Sequence, residues 1–295
     1  MRKYHDLYEC VFSLIPNLEL DRESSESIIQ TITGVTEDAN RAYFGEHSKG
    51  QTTLGRFGSV IFPFYSFGNV KSYFHLEYRE LVIFAIYQSL MSEEVNFLDV
   101  GGNLGLHSLM VSKLPHKSIS YFEPDRKHFD AAGLRFRMNR ISKKVAMHNV
   151  AISDYDGKGD FVIVLDNTTS SHLMNPSRNA YGPLEHTSVS VRRFSDFLKK
   201  KQKYLAKIDV EGTEADLLKD ISKTQWNCID CIVEITNDPN AQEVFRMAKR
   251  NQLTIYSQKI SWKKVRTISD LPNRYDQGSV LISKHLAREQ IFRVK

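Results

Sequence analysis

The stretch Phe97-Leu-Asp-Val-Gly-Gly-Asn-Leu-Gly105 decides the fold. Its apolar start predicts a strand over residues 95–100, and a helix follows over residues 105–114, ended by Pro115. Glycines 101 and 105 let the backbone approach a ligand closely and let the helix pack tightly on the strand. The new helix then presents free N–H groups to a polar or anionic group.

The glycine pattern of this turn differs from the dinucleotide-binding pattern Gly-x-Gly-x-x-Gly. Counted from Gly101, the third position is Asn103 and the sixth is Leu106. The pattern is therefore Asp-x-Gly-x-(Gly/Asn)-x-Gly, with Asp99 at its start.

Short apolar strands alternate with helices through the rest of the chain. Strands are predicted over residues 118–123, 145–150, 205–210, 228–235, 253–256 and 279–282, and helices over 126–140, 194–201, 214–221 and 241–251. Residues 160–165 and 188–192 read as an antiparallel pair around a polar loop, 165–187. This alternation predicts an α/β protein with a mostly parallel sheet and helices on both faces, whose ligand lies at the carboxyl ends of the strands.

The first 92 residues follow a different pattern. A helix start is predicted at Asp21, a hairpin over residues 56–70 with Pro63 as a bend, and a helix over residues 73–91. We therefore divide the chain into an N-terminal helical and hairpin segment, 1–92, and a ligand-binding domain, 93–295.

Composition excludes several classes of protein. The chain has 295 residues, of which 41% are hydrophobic and 11% aromatic, so a disordered chain is excluded. Three cysteines rule out a disulfide framework, and Cys228 and Cys231 are expected to be buried structural residues. We expect a cytoplasmic protein without a membrane span, because no signal peptide and no long apolar run is present. The net charge of +5 is expected to reflect a solvated surface.

The second strand ends in Phe122-Glu-Pro-Asp125. An acidic residue at this place accepts hydrogen bonds from both ribose hydroxyls of a nucleoside ligand, and it would repel a 2′-phosphate. Glu123 therefore predicts a nucleoside cofactor whose ribose is unphosphorylated.

The fourth core strand runs into Lys207-Ile-Asp-Val-Glu-Gly-Thr-Glu214. Like charges this close are tolerated mainly at a site or beside cations. By the strand-end rule Asp209 is a site residue, whereas Glu214 is expected to cap the next helix.

These motifs resemble the FkbM family of S-adenosylmethionine-dependent methyltransferases. The resemblance covers residues 93 to about 260 and rests on six stretches: residues 97–109, 121–125, 148–157, 191–198, 207–218 and 233–236. It implies a Rossmann-like class I methyltransferase fold whose last strand is antiparallel. Gly102 departs from the family, which commonly has alanine there.

The resemblance also assigns residues to the cofactor, S-adenosyl-L-methionine. It implies that the turn after the first strand wraps the methionine part and the sugar, that Glu123 binds the ribose, and that the end of the third strand lies near the adenine. The implied cofactor-binding set is Asp99, Gly101, Gly102, Asn103, Gly105, Glu123, Pro124, Asn149, Val150, Ala151 and Asp209. The implied catalytic set is Asp209, Glu211 and His107.

Methyl transfer to a hydroxyl needs an acceptor in line with the methyl group and a base. Other candidate bases are Glu234, His75, His172 and His186. Asp209, Glu211 and Glu234 form the one conceivable metal cluster, but their spacing is poor and no metal is expected.

The resemblance implies an O-methyltransferase acting on a glycan or a small-molecule natural product. Two alternatives stay open, an RNA or DNA methyltransferase and a non-catalytic cofactor-binding protein. Against the first, the fourth strand lacks the Asn/Asp-Pro-Pro-aromatic motif that holds a flipped base. The basic run at 199–203 is expected at the amino edge of the sheet, opposite the site. The oligomeric state stays open, with a homodimer among the options.

Overall fold

The computed structural model describes residues 7–174 and 182–293. Its strands are β1 (Gln51–Thr53), β2 (Ser59–Ile61), β3 (Ser66–Phe67), β4 (Val70–Lys71), β5 (Val95–Val100), β6 (Ser118–Phe122), β7 (Val145–His148), β8 (Ala151–Ser153), β9 (Gly157–Val164), β10 (His172–Leu173), β11 (Leu184–Arg193), β12 (Lys203–Ile208), β13 (Ile229–Glu234), β14 (Thr254–Ser257), β15 (Lys263–Lys264) and β16 (Ser279–Ser283). Its helices are α1 (Leu7–Leu20), α2 (Arg22–Phe44), α3 (Tyr78–Leu90), α4 (Leu106–Val111), α5 (Arg126–Met138), α6 (Glu214–Lys219), α7 (Asp238–Asn251) and α8 (Arg288–Ile291).

Eight of these strands form the central sheet, in the order β15, β14, β16, β13, β12, β5, β6, β7. The neighbours β13, β12, β5, β6 and β7 are parallel, and β16 runs antiparallel to both β13 and β14. The predicted Rossmann-like class I fold with an antiparallel last strand is therefore confirmed. The order reverses between β12 and β5, which is the switch point where such sheets bind ligands.

The sheet separates two apolar cores because successive strand residues face opposite sides. Phe97 and Tyr121 enter one core with α4, α5 and the N-terminal segment. Leu98 and Phe122 enter the other core with α6 and α7. The predicted placement of helices on both faces is confirmed.

The N-terminal segment completes the first of these cores. Nine of the 13 residues of α3 are buried, and the Tyr87 ring lies 5.2 Å from that of Phe97 on β5, centroid to centroid. Residues of α1 and α2 belong to the same apolar cluster. Residues of the N-terminal segment and of the sheet therefore form one apolar cluster, and the division of the chain at residue 92 stays a prediction.

A second, smaller sheet stands beside the central one, in the order β10, β9, β11, β8. The predicted antiparallel pair is present as β9 and β11, and residues 175–181 of the loop between them lie outside the described part. This sheet is tied to the hairpin of β3 and β4, because the N–H of Asn69 donates to the carbonyl of Asp166 at 2.7 Å. The two hairpins β1–β2 and β3–β4 flank the bend at Pro63.

Several predicted boundaries were wrong. The strand predicted over 145–150 ends at His148, since the Asn149 amide donates to the carbonyls of Glu123 (2.8 Å) and Pro124 (3.0 Å) and turns the chain into β8. The helix predicted over 73–91 is a short 3₁₀ turn followed by α3, separated by extended backbone at Glu77. The helix predicted over 194–201 is a 3₁₀ turn, Phe194–Phe197, and the helix predicted over 105–114 is the shorter α4.

Helices of the described ranges, 7–174 and 182–293, are all too short or too polar to cross a bilayer. The basic run predicted at the amino edge of the sheet is found there. Lys199–Lys201 and Lys203 are exposed, and Lys203 pairs with Glu94 at 2.7 Å.

One hydrogen bond joins the first helix to the C-terminal part of the chain. The indole N–H of the buried Trp262 donates to Oε2 of the buried Glu19 at 3.0 Å. Trp262→Phe removes this donor from a buried carboxyl group. We expect the variant to lose about 1–3 kcal/mol of unfolding free energy beyond the cost of the smaller ring. Urea unfolding followed by far-ultraviolet circular dichroism measures the loss.

Trp226→Phe is the matched control. Trp226 is equally buried, and its indole N–H has no hydrogen-bond partner among the described residues. Equal losses of stability in the two variants would contradict the assigned role of the Trp262–Glu19 hydrogen bond.

Candidate active site

A cavity of about 1030 Å³ opens at the carboxyl ends of β5, β6, β12 and β13. Of the predicted site residues, it is lined by Gly101, Gly102, Asn103, His107, Glu123, Pro124, Val150, Ala151, Asp209 and Glu211. The second sheet and the N-terminal segment contribute further walls. The structure thus brings most of the predicted residues to one place.

The turn after β5 is held by close backbone contacts. Gly101 has a φ of +74°, and a Cβ there would lie 1.9 Å from the carbonyl oxygen of Asp209. A Cβ at position 102 would lie 2.5 Å from the Tyr121 ring, so Tyr121 explains why this chain has glycine where alanine is common. The N–H groups of Gly101 and Gly102 both donate to the carbonyl of Phe122 at 3.0 Å. The turn is therefore fixed against both neighbouring strands.

Three residues predicted to bind the cofactor lie behind the lining of the cavity. The fully buried Asp99 accepts hydrogen bonds from the N–H (2.9 Å) and the hydroxyl (2.6 Å) of Ser108, which anchors α4 to β5. A Cβ at position 105 would lie 2.5 Å from the Phe136 ring, so the ring leaves no room for a side chain there. Asn149 shapes the turn after β6 through the bonds described above. None of the three lines the cavity, and their part in cofactor binding stays a prediction.

Glu123 stands at the end of β6 with its carboxyl group almost fully buried. Its oxygens accept the N–H groups of Asn103 and Asp125, each at 2.8 Å. Burial raises the pKa of Glu123 to about 8, although these two hydrogen bonds oppose the rise. Since a carboxylate accepts about four hydrogen bonds, Glu123 keeps acceptor capacity for two donors from the cavity.

The other end of the cavity carries a charged cluster around Lys207. The Lys207 ammonium, with 1% of its side chain exposed, lies 3.2 Å from Asp209 Oδ2 and 3.7 Å from Glu234 Oε2. Burial alone would lower the pKa of Lys207, but the carboxylates of Asp209 and Glu234 raise it well above its ordinary value. Burial and the charge of Asp209 raise the pKa of Glu234. Lys207 was not predicted as a site residue.

The loop after β12 holds the remaining predicted carboxylates. Glu211 lines the cavity with a φ of +62°, a left-handed conformation that costs a non-glycine residue energy. Glu214 is fully buried and accepts the N–H groups of Gly212 (3.0 Å) and Val210 (3.2 Å). The prediction that Glu214 caps the next helix was wrong: the N-cap of α6 is Thr213, and Glu214 instead binds the backbone of the loop that carries Glu211.

His107 joins the N-terminal segment to the site. Its Nδ1 lies 2.9 Å from the Tyr87 hydroxyl, and its Nε2 lies 3.3 Å from Glu80 Oε2. Burial lowers the pKa of His107 well below its ordinary value, so the ring is neutral at pH 7. Both Tyr87 and Glu80 belong to α3, in the segment that gave no sequence motif. An acidic residue near the start of a mostly buried, mostly apolar helix is the signal that could have identified Glu80.

The other candidate histidines differ in position. His75 lines the cavity, and burial lowers its pKa to about 4. His172 is buried, with Nδ1 2.8 Å from the carbonyl oxygen of Ser170, and His186 is exposed on β11. Of the four candidate histidines, His75 and His107 are therefore the ones that line the cavity.

Two of the three acidic residues considered as metal ligands lie beside a lysine ammonium group. Asp209 and Glu234 flank the Lys207 ammonium, and within residues 7–174 and 182–293 no three His, Cys, Asp or Glu side chains are grouped as metal ligands. Cys231 is buried as predicted, Cys228 is half-buried, and both are free thiols.

The fold and the strand-end cavity together are those of a class I methyltransferase. The family described as "Methyltransferase FkbM domain" matches residues 99–258, more than half of the chain. The chain therefore belongs to the FkbM methyltransferase family.

Two curated relatives are similar over about half of the chain. "Methyltransferase 1" of Beauveria bassiana (strain ARSEF 2860) is 27% identical over 176 residues, which cover 53% of this chain and 70% of the relative. "Methyltransferase sdnD" of Sordaria araneosa is 24% identical over 172 residues, which cover 48% and 66% of the two chains. The crystal structure of Methyltransferase FkbM from Methylobacillus flagellatus KT superposes with a TM-score of 0.40 and 13% identity. That superposition covers 66% of this chain and 47% of the crystal-structure chain.

The raised pKa of Glu123 predicts a pH dependence of stability. Folding favours the protonated group, so its contribution is complete below the unfolded pKa of about 4.5 and is lost as pH rises through about 8. Glu123→Gln cannot titrate. We expect the melting temperature of the variant, measured against that of wild type, to rise steadily from pH 5 to pH 9.

Glu94→Gln serves as the control, because Glu94 is exposed and its pKa lies below its ordinary value. Its melting temperature should follow that of wild type over the same range. A constant difference between Glu123→Gln and wild type would contradict the assignment for Glu123.

Proposed function

We propose that the protein is an S-adenosylmethionine-dependent O-methyltransferase that acts on a hydroxyl group of a glycan or a small-molecule natural product. One observation carries the proposal. A single cavity connects a carboxyl group suited to a ribose, Glu123, with the charged cluster of Lys207, Asp209 and Glu234 at the ends of the adjoining strands.

The Glu123 end of the cavity fits a nucleoside cofactor. Glu123 would accept the ribose hydroxyls, and the apolar residues Ile152, Phe161 and Leu173 would surround the base. The buried atoms Asn103 Oδ1 and Asp209 Oδ1 have no hydrogen-bond partner among the described residues, and both residues line the cavity. Buried polar atoms left in this state are suited to a ligand with donor groups.

The cofactor, when bound, supplies an electrophilic methyl group on a sulfonium. The task of the chain is to hold the acceptor hydroxyl in line with that methyl and to take up the hydroxyl proton. Asp209 is the best placed of the proposed catalytic residues, because Lys207 fixes its Oδ2 while its Oδ1 has no partner in the described chain. Glu211 borders the same space, and the neutral His107 acts through its contacts with Glu80 and Tyr87.

The mouth of the cavity supports a ring-shaped acceptor. Phe74 and Tyr275 line it with 45% and 71% of their surfaces exposed. Arg79 donates to the carbonyl of Asp276 at 2.5 Å and so fixes the loop that carries Tyr275. Exposed aromatic faces stack on sugar rings and on aromatic natural products alike. The exposed lysines at 199–203 lie at the opposite edge of the sheet, so they give no support to a nucleic-acid acceptor.

The cofactor assignment is tested by calorimetry. Wild-type protein is expected to bind S-adenosylmethionine and S-adenosylhomocysteine. Glu123→Ala should weaken the binding of both by about 1–3 kcal/mol, because the ribose hydroxyls lose their acceptor. Glu94→Ala, on the exposed surface, should bind as wild type does. Absence of binding to wild type would refute the proposed function.

The reaction is tested by the release of S-adenosylhomocysteine in the presence of oligosaccharides, phenolic natural products or RNA. We expect turnover with a hydroxylated compound and none with RNA. Asp209→Asn should lower turnover by about 10²–10⁴-fold, the usual contribution of a proton-transferring group, with little change in cofactor affinity. Asp216→Asn, a surface change on α6, is the control. Turnover of RNA alone would support the nucleic-acid alternative.

A further inference from the structure

Glu80 is an acidic residue on a helix that is otherwise mostly apolar. The helix α3 buries nine of its residues in the core beneath the sheet, yet Glu80 lines the cavity with Lys207 and Asp209. Its carboxylate interacts electrostatically with both of these residues. Glutamate side chains are usually exposed to solvent, so a glutamate on a buried helix calls for a functional explanation.

The end of the cavity around Lys207 carries more negative than positive groups. The carboxyl groups of Glu80, Asp209 and Glu234 face the single ammonium of Lys207. The two histidines in this region add no positive charge at pH 7, because burial lowers the pKa values of both His75 and His107. Unpartnered buried atoms of the described chain, Asp209 Oδ1 and His75 Nε2, belong to residues that line the same region. This end of the cavity therefore suits a further cation.

Glu80 also keeps a buried acceptor atom for the cavity. His107 Nε2 lies 3.3 Å from Glu80 Oε2, and the Tyr87 hydroxyl, on the same helix as Glu80, lies 2.9 Å from His107 Nδ1. Glu80 Oε2 nevertheless has no hydrogen-bond partner among the described residues. A buried carboxyl oxygen in this state is suited to a ligand that brings a donor or a positive charge.

We propose that Glu80, supplied by the N-terminal segment, makes this end of the cavity selective for the positive sulfonium of the methyl donor over its neutral product. The inference rests on the proposed function. It gives the N-terminal segment a direct part in the site, and it accounts for product release, because S-adenosylhomocysteine loses the charge that Glu80 and its neighbours attract.

Three probes separate this role from binding of the amino-acid end of the cofactor. S-adenosylmethionine carries the sulfonium, S-adenosylhomocysteine lacks it, and sinefungin replaces it with an amine that is cationic at neutral pH. All three share the same α-amino and carboxylate groups. A carboxylate that holds the α-amino group would therefore affect all three alike, whereas one that senses the sulfonium would affect the two cations.

The experiment is calorimetric titration of wild type, Glu80→Gln and Glu94→Gln with these probes. Glu94 is exposed and pairs with Lys203 outside the cavity, so the same change there is the control. We expect Glu80→Gln to weaken S-adenosylmethionine and sinefungin about tenfold, the size expected for unit charges roughly 10 Å apart at an effective dielectric constant of about 20. S-adenosylhomocysteine should change less than about twofold, which is a few tenths of a kcal/mol, and Glu94→Gln should match wild type.

The outcomes separate the two proposals. Equal weakening of all three probes, or no weakening of any, would overturn the role of Glu80 while leaving the proposed function intact. Binding of none of them by wild type would overturn the proposed function itself. The ratio of affinities within one variant is unaffected by a fraction of misfolded protein, and Glu234→Gln, on the other side of Lys207, should shift the ratio in the same direction.

A second readout needs no variant. The titratable and charged groups that face Glu80 are those of Glu77, Arg79, Tyr87, His107, Lys207, Asp209 and Glu234. Burial raises the pKa of Glu80 to about 7, so part of the free protein holds a proton there at pH 7. A bound cation favours the carboxylate and expels that proton. Calorimetry in buffers of different ionisation enthalpy should detect more proton release with S-adenosylmethionine than with S-adenosylhomocysteine, since Glu123 meets the same ribose in both, and equal release would contradict the proposal.

Discussion

The ion pair between Lys207 and Asp209 is the interaction on which the candidate site depends. Removing an ammonium and a carboxylate from water costs several kcal/mol each, and the cost is offset only when the pair is close and further bonded. Here Lys207 is buried in the central strand β12, with Asp209 at 3.2 Å and Glu234 on the neighbouring strand at 3.7 Å. Without this ammonium, carboxyl groups at the ends of adjacent strands would repel one another in a region of low dielectric constant. The ammonium of Lys207 thus offsets the repulsion among the carboxyl groups that line the cavity.

The alternation of side chains along β12 makes this arrangement compatible with a packed core. Lys207 and Asp209 share one face of the strand because they are two residues apart, whereas Ala206 and Ile208 point into the core under α6 and α7. The carbonyl of Asp209 in turn excludes any side chain at Gly101. Strand β12, its neighbour β5 and the turn after β5 are therefore fixed by backbone contacts and ion pairs of the chain itself. These contacts do not depend on what binds in the cavity.

Local sequence identified the fold and much of the site, because strand ends and glycine turns are encoded in short stretches. The position of Glu123 and the lining by Asn103 and Asp209 follow from such stretches, whereas the antiparallel β16 was implied only by the resemblance to the family. The hydrogen bonds of Asp99 were not predictable in the same way, since its Oδ2 accepts both the N–H and the hydroxyl of Ser108, while its Oδ1 has no partner among the described residues. Strand β7 ended early because of the tertiary hydrogen bonds of Asn149, which no periodicity reveals.

Glu80 shows the wider limit of motif reasoning in this chain. It reaches the site only because α3, which carries no motif, packs beneath β5. The same N-terminal segment supplies Phe74 at the mouth and the hairpin that joins the second sheet through Asn69. The strand ends, which are fixed by the core, carry Glu123, Lys207 and Asp209, while the N-terminal segment and the second sheet supply the surrounding walls of the same cavity. The groups proposed for the cofactor and those proposed for the acceptor therefore come from different parts of the chain.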